Sequence, residues 1–256
     1  MDKKKIRNHH LKSVKLFAAL LALLLIFAAG CTGQANSQNV QPLQTLPDGF
    51  VYVTDAVPDV VLEIRYYSTY NFVGARVDDY LAPVAILTEE AAEALKLVNA
   101  DLRSQGYAIK VFDAYRPQGA VTHFMRWAAD ESDIATKEYF YPDIAKDRII
   151  PEKYIMERSG HSRGSTIDLT LIEMQTGKEV DMGTPFDFFG LASHHGTDLI
   201  TAEQTANRLI LLGAMERAGF VLYDEEWWHY TLADEPYPDT YFDFPVFASN
   251  AMQKAG

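Results

Sequence analysis

The sequence predicts an α+β fold, with helices packed against a mostly antiparallel sheet. Two helix-start signals, at Thr88 and at Thr201, each open a long stretch that a glycine closes, Gly106 in one case and Gly219 in the other. Between and after them lie short β-rich runs at 108–114, 166–172, Phe220–Tyr223 and 228–232. No internal repeat interrupts the pattern.

In chain order, packed structure is expected to start near Phe50, and residues 60–67 are β-rich enough to predict a strand. Thr88 then caps a helix whose first turn carries Glu89 and Glu90, favourable at the positive end of the helix dipole, and which runs to about Ser104. Residues 108–114 predict a buried strand. Arg116-Pro117 ends it, and a helix from about Gln118 to Ala129 follows. The segment 130–158 is loop-rich, with aromatics and acids mixed. Residues 166–172 alternate as a strand does, and Thr176-Gly177-Lys178 is a turn leading to a second short strand that ends at Val180. Thr201 with Gln204 forms a capping box before the long helix to Gly219.

The chain of 256 residues, 48% hydrophobic, predicts one globular domain behind a processed leader. Residues 1–30 have a basic start (Lys3, Lys4, Lys5, Arg7, Lys12, Lys15), an apolar run of 14 residues from Leu16 to Ala29, then Gly30 and Cys31. The run is shorter than the roughly 20 residues that span a bilayer. Small residues directly before the one cysteine point to a lipoprotein signal, cleaved before Cys31 and acylated on its sulfur; an uncleaved N-terminal membrane anchor is the alternative. Either reading puts the domain outside the cytoplasmic membrane. Residues 31–49 are expected to be a polar tether, and 50–256 the catalytic domain. Without the first thirty residues the chain keeps 17 basic and 34 acidic groups, a formal net charge of −17. That argues against a nucleic-acid partner, which needs basic patches. A single cysteine also excludes a thiolate-rich zinc site, so any metal must be held by His and carboxylate.

Three segments carry candidate chemistry. In Ser159 to Asp168, His161 and Asp168 lie seven apart, a spacing that an unbroken strand would put on opposite faces. Gly164 between them allows a bend that lets both converge, although a Gly-rich hairpin with one exposed His would read the same. The second segment is Glu226-Trp227-Trp228-His229-Tyr230. Two imidazoles and a carboxylate are a common catalytic zinc set that leaves one position open; His161, Asp168 and His229 supply it, and Glu226 remains as general base. The tryptophans themselves suit core packing. In the third, Phe112 to Pro117, Arg116 sits at a sheet end, where it would stabilise an oxyanion or simply pair with a carboxylate.

Together these motifs resemble the VanX-type D-alanyl-D-alanine dipeptidases, relatives of the D,D-carboxypeptidases that share the fold of the hedgehog signalling domain. The pattern S-x-H-x-x-G-x-x-x-D is met by Ser159 to Asp168, E-x-x-H by Glu226 to His229, and Y-R-P by Tyr115 to Pro117. The likeness extends to Asn71-Phe72-x-Gly74, Met182 to Phe188 and Asp234 to Pro238, and covers about residues 55–247. It implies one zinc ion on His161, Asp168 and His229, with Glu226 as base and Arg116 stabilising the tetrahedral intermediate. It also implies that Asp187 holds the substrate's ammonium group and that Ser159 and Tyr66 line the dipeptide pocket. The pair His194-His195 is carried by the family away from its zinc, and His123, on a helix, is expected to be surface or structural. The expected activity is hydrolysis of D-Ala-D-Ala, used outside the membrane for scavenging or wall turnover. A D,D-carboxypeptidase acting on stem peptides and a non-catalytic zinc-binding surface protein are the alternatives.

Overall fold

The computed structural model describes residues 45–249; the leader, Cys31 and nearly all of the tether lie outside the described residues. Among the described residues no helix is long and apolar enough to cross a membrane. The chain starts with strand β1 (Phe50–Tyr52), a helical turn α1 (Val53–Ala56), strand β2 (Val61–Leu62) and strand β3 (Ile86–Thr88). Helix α2 (Glu89–Ser104), strand β4 (Tyr107–Asp113), helix α3 (Gln118–Ala129) and the short helix α4 (Lys137–Phe140) follow. Strand β5 (Thr166–Glu173), helix α5 (Ala202–Arg217), and strands β6 (Phe220–Tyr223) and β7 (Glu226–Leu232) complete it.

Five strands form one sheet in the order β2-β4-β5-β7-β6, and β1 pairs with β3 in a second, two-stranded sheet. Only the β2–β4 pair of the larger sheet is parallel. The α+β expectation is therefore met, helices included. Thr88 accepts a hydrogen bond from Ala91 N, and Ala91, Leu95, Val98 and Leu102 of α2 are buried at helical spacing. Burying a Leu or Val side chain contributes about 1.5–3 kcal/mol, so this stripe fixes α2 against β4. The capping box at Thr201 and Gln204 forms in both directions.

Strand β5 is the centre of the sheet, and every residue from Thr166 to Ile172 is buried. Its alternating sequence thus serves a strand covered on both faces, in which Thr166 and Thr170 are buried polar positions.

Four elements differ from expectation. The strand foreseen at 60–67 shrinks to β2, and Arg65–Tyr67 is a 3-10 turn. Asn71 explains the diversion, since its side-chain amide donates to the carbonyls of Arg65, Ser68 and Ala75 and takes them away from any ladder. The second strand ending at Val180 is reduced to one bridge, Ile172 to Glu179. Strand β7 starts at Glu226, two residues earlier than expected. The segment 130–158 holds α4 and a 3-10 turn at Lys146–Arg148. The β1–β3 pair had no distinct signal, because strands of three residues are too short to display a period.

Candidate active site

The register of the sheet assembles the centre of the site. Asp168 on β5 pairs with His229 on β7 and with Asp113 on β4, so three neighbouring strands contribute one side chain each at one level. His161 arrives from the 3-10 turn Gly160–Arg163 rather than from a hairpin, and it is fully buried rather than exposed. Ser159 caps that turn, accepting from His161 N, and Gly164 closes it at φ 87°. A Cβ on Gly164 would stand 2.4 Å from the Phe50 ring, so both the backbone angle and the space demand glycine there. The bend foreseen between His161 and Asp168 is thus real.

His161 Nδ1 donates to Ala114 O at 2.6 Å, which turns Nε2 toward Asp168 and His229. This Nε2 lies 3.3 Å from His229 Nδ1 and 3.2 Å from Asp168 Oδ2, and His229 Nδ1 lies 3.3 Å from Asp168 Oδ1. A metal with ligands at about 2.0–2.1 Å in tetrahedral directions separates its ligand atoms by about 3.3–3.4 Å. The three separations are of that size, with Asp168 turning a different oxygen to each imidazole. Asp168 Oδ1 is also buried with no hydrogen bond of its own, an unmet acceptor that a cation would satisfy. The residues present therefore fit a metal ion, held by His161, Asp168 and His229.

The electrostatics agree. Burial pushes the Asp168 carboxyl up, but His161 and His229 outweigh it and hold it well below the usual carboxylate range. Burial pushes His229 down, yet the neighbouring Asp168 and Glu226 carboxylates raise the ring to about 9.

Glu226 departs from simple strand alternation. Alternation would turn its carboxylate away from His229, three residues on. The β6–β7 pairing instead shifts register at Leu222/Tyr223, and Glu226 Oε2 comes to 3.2 Å from His229 Nδ1. The mutually close ligand atoms still do not include it. Glu226 thus stands beside the metal set without joining it.

Every predicted site residue in the described chain lines a single cavity of about 340 Å³, except the fully buried His161. Arg116 makes ion pairs and also faces this cavity, so its two readings are compatible. Its Nε donates to Asp113 Oδ2 at 2.8 Å, while Nη1 reaches Ser159 Oγ at 3.3 Å and Nη2 reaches Asp168 Oδ2 at 3.4 Å. Asp187, 6% exposed, accepts at Oδ1 from the Tyr66 hydroxyl at 3.0 Å, and its Oδ2 is buried without a partner. Burial pushes the Asp187 carboxyl well above its usual range; Asp168 adds to this, Arg116 opposes it and Glu226 adds again. Its φ of 62° is unusual for a residue with a side chain.

Sequence reasoning gives no task to Asp113 or Tyr80. Asp113 is buried and takes the Tyr80 hydroxyl at 2.6 Å on one oxygen and Arg116 on the other. An acid closing a buried apolar strand, three residues before an Arg, was the available signal for Asp113; Tyr80 offered none. The other described histidines lie outside the centre. His123 accepts from Asp78 N, and His194 and His195 are not among the mutually close metal-ligating groups. Both Trp227 and Trp228 are core residues, as foreseen.

A mixed sheet that brings two imidazoles and a carboxylate to one point, beside a carboxylate and a guanidinium, defines a metal-dependent hydrolase of the peptidase type. More narrowly, the chain belongs to the M15 peptidase family, whose model, described as D-ala-D-ala dipeptidase, matches residues 47–247. A D-alanyl-D-alanine dipeptidase of Enterococcus faecium is 43% identical over 198 residues, which is 77% of this chain and 98% of that one. Relatives with the same description in Streptomyces coelicolor and Escherichia coli are 40% and 31% identical, covering 77% of this chain and 98% and 91% of theirs.

Proposed function

We propose that this protein is a zinc-dependent dipeptidase that hydrolyses D-alanyl-D-alanine to two D-alanines. One observation carries the reading: a metal-ligand set and a buried carboxylate with an unused oxygen face the same small cavity. A volume of about 340 Å³ is near the lower end of small-molecule sites, which suits a dipeptide. Zinc held by His161, Asp168 and His229 would supply a Lewis acid for the scissile carbonyl and lower the pKa of bound water towards about 7.

The chain's own groups do the remaining work. Glu226, beside His229 and half-exposed to the cavity, takes the proton of the attacking water and returns it to the leaving amine. Arg116 is held by its Nε on Asp113, so its two terminal nitrogens, in long contacts of 3.3 and 3.4 Å, are free to re-aim at the developing oxyanion. Asp187 Oδ2 receives the substrate's ammonium, which supplies the counter-charge this buried carboxyl lacks. Tyr66 fixes the other Asp187 oxygen, and Ser159 lines the pocket.

Incubation with D-Ala-D-Ala should release D-alanine, and a chelator should abolish the release until zinc is restored. Cleavage of longer D-Ala-D-Ala-terminated peptides as fast as the dipeptide would make the protein a D,D-carboxypeptidase instead. The basic start, short apolar run and small residues before Cys31 support export and lipid anchoring at that cysteine, with a role in scavenging or wall turnover. Stable anchoring needs more than one acyl chain. Mass spectrometry of the N-terminal peptide decides, and an intact Met1 with unmodified Cys31 would overturn this part.

A further inference from the structure

The segment from Met182 to His194 carries Asp187 and contains no regular element beyond the 3-10 turn Leu191–Ser193. It is nevertheless fixed from two directions. Arg208 on α5 is 2% exposed, and its hydrogen-bond partners are backbone carbonyls. Its Nε donates to Met182 O at 2.7 Å, Nη1 to His194 O at 2.9 Å and Nη2 to Ala192 O at 2.8 Å. One guanidinium therefore ties both ends of the loop together. Burial lowers its pKa to about 10, a measure of how unfavourable the site is for charge unless the bonds are made.

The second restraint comes from the catalytic strand. Trp227 Nε1 donates to Thr184 Oγ1 at 2.8 Å, Thr184 and Ser193 share a hydroxyl contact of 3.2 Å, and Ser193 Oγ donates to Phe188 O at 2.6 Å. Each hydroxyl has one proton. Ser193 gives its proton to Phe188, so Thr184 must donate to Ser193 while accepting from Trp227. The chain of donors therefore runs one way, from β7 to the residue next to Asp187. Trp227 stands between Glu226 and His229 on that strand. The unusual φ of 62° at Asp187 persists only where surrounding bonds enforce it.

We propose that Arg208 and the Thr184–Ser193 hydroxyl pair are positioning residues for recognition of the substrate's amino end. They hold Asp187 at a fixed place relative to Glu226 and His229, and thereby set the preference for a free ammonium over an acylated or extended chain. The proposal rests on the reading of Asp187 as the ammonium partner.

The test compares KM and kcat for D-Ala-D-Ala with the inhibition constant of N-acetyl-D-Ala-D-Ala as competitor, and measures zinc content on the same preparations. Thr184→Val removes the hydroxyl at nearly constant shape. It should raise KM for the dipeptide about tenfold, the worth of one well-made hydrogen bond, while kcat and zinc content stay close to the parent's. Binding of the acetylated competitor should change little, and Thr184→Ser should restore the parent KM. Arg208→Lys, which keeps charge but not the three-pronged geometry, should act in the same direction and more strongly. If it fails to fold, Thr184→Val and Ser193→Ala carry the test. Asp187→Ala is measured alongside. If it shifts the free-to-acetylated preference while the Thr184 and Ser193 variants leave it unchanged, the positioning role is overturned and the reading of Asp187 stands. If Asp187→Ala leaves the preference unchanged, both fall together.

Discussion

Asp113, Asp168 and His229 stand opposite one another on three neighbouring strands, whereas Asp187, across the same cavity, stands on a loop with a left-handed backbone and Tyr66 on a 3-10 turn. The difference follows from what each side must do. A metal accepts little error in the positions of its ligands, and strand pairing delivers such positions because each residue's partner is set by the whole ladder. Recognising a charged end needs an acceptor that is buried, unpaired and correctly aimed. A loop can provide that once other side chains hold it in place. Two members of the metal-ligating set and Glu226 are thus built into the sheet and His161 joins them from a 3-10 turn, while Asp187 is carried on a loop laid over that frame.

Substitutions on the two sides should therefore fail differently. The largest effect is expected from His161→Ala. It removes a ligand and leaves Asp168 and His229 to hold a metal alone, so both zinc content and turnover should fall to background; a variant with full zinc and full activity would mean the ligand set is misassigned. Glu226→Ala comes next. It should keep its zinc but lose about 10²–10⁴-fold in kcat, the usual cost of a positioned general base. Zinc analysis and kcat on one sample separate the cases: loss of metal would make Glu226 a ligand, and near-normal kcat would place the base elsewhere. On the loop side, Asp187→Ala should mainly raise KM for the dipeptide, by about 30-fold or more, because it deletes one partner of a buried charge pair. An equal loss of binding for the free and the acetylated dipeptide would erase the distinction between the two sides. Smallest is Thr201→Ala, far from the chemistry. Losing the cap of α5 should cost about 1 kcal/mol of stability, read from denaturant unfolding, with kcat unchanged.

How much could be read in advance depended on whether a feature is local. The helices were legible because their caps act within one turn: Thr88 on Ala91, Thr201 on Gln204. His161, Asp168, Glu226 and His229 were legible as residue types at characteristic spacings. Asp113, Tyr80, Thr184, Ser193 and Arg208 were not, since their partners are distant in sequence and nothing in their neighbours reveals them. Arg208 looks like an ordinary helix residue until the loop carbonyls fold over it. The strand expected through Tyr66 also failed for a non-local reason in part: Tyr66 is drawn inward to Asp187, 121 residues away.

By itself the sequence determined the α+β class, the long helices and their ends, the bend at Gly164 and the set of groups able to hold a metal. Those properties rest on backbone sterics, capping and donor chemistry, which act over a few residues. Tertiary structure decided that Asp168 faces His229 and Asp113, that a register shift swings Glu226 back beside the ligands, and that Asp187 keeps one oxygen free in a closed cavity. Strand register and burial depend on the packing of the whole molecule, and no short stretch of sequence contains them.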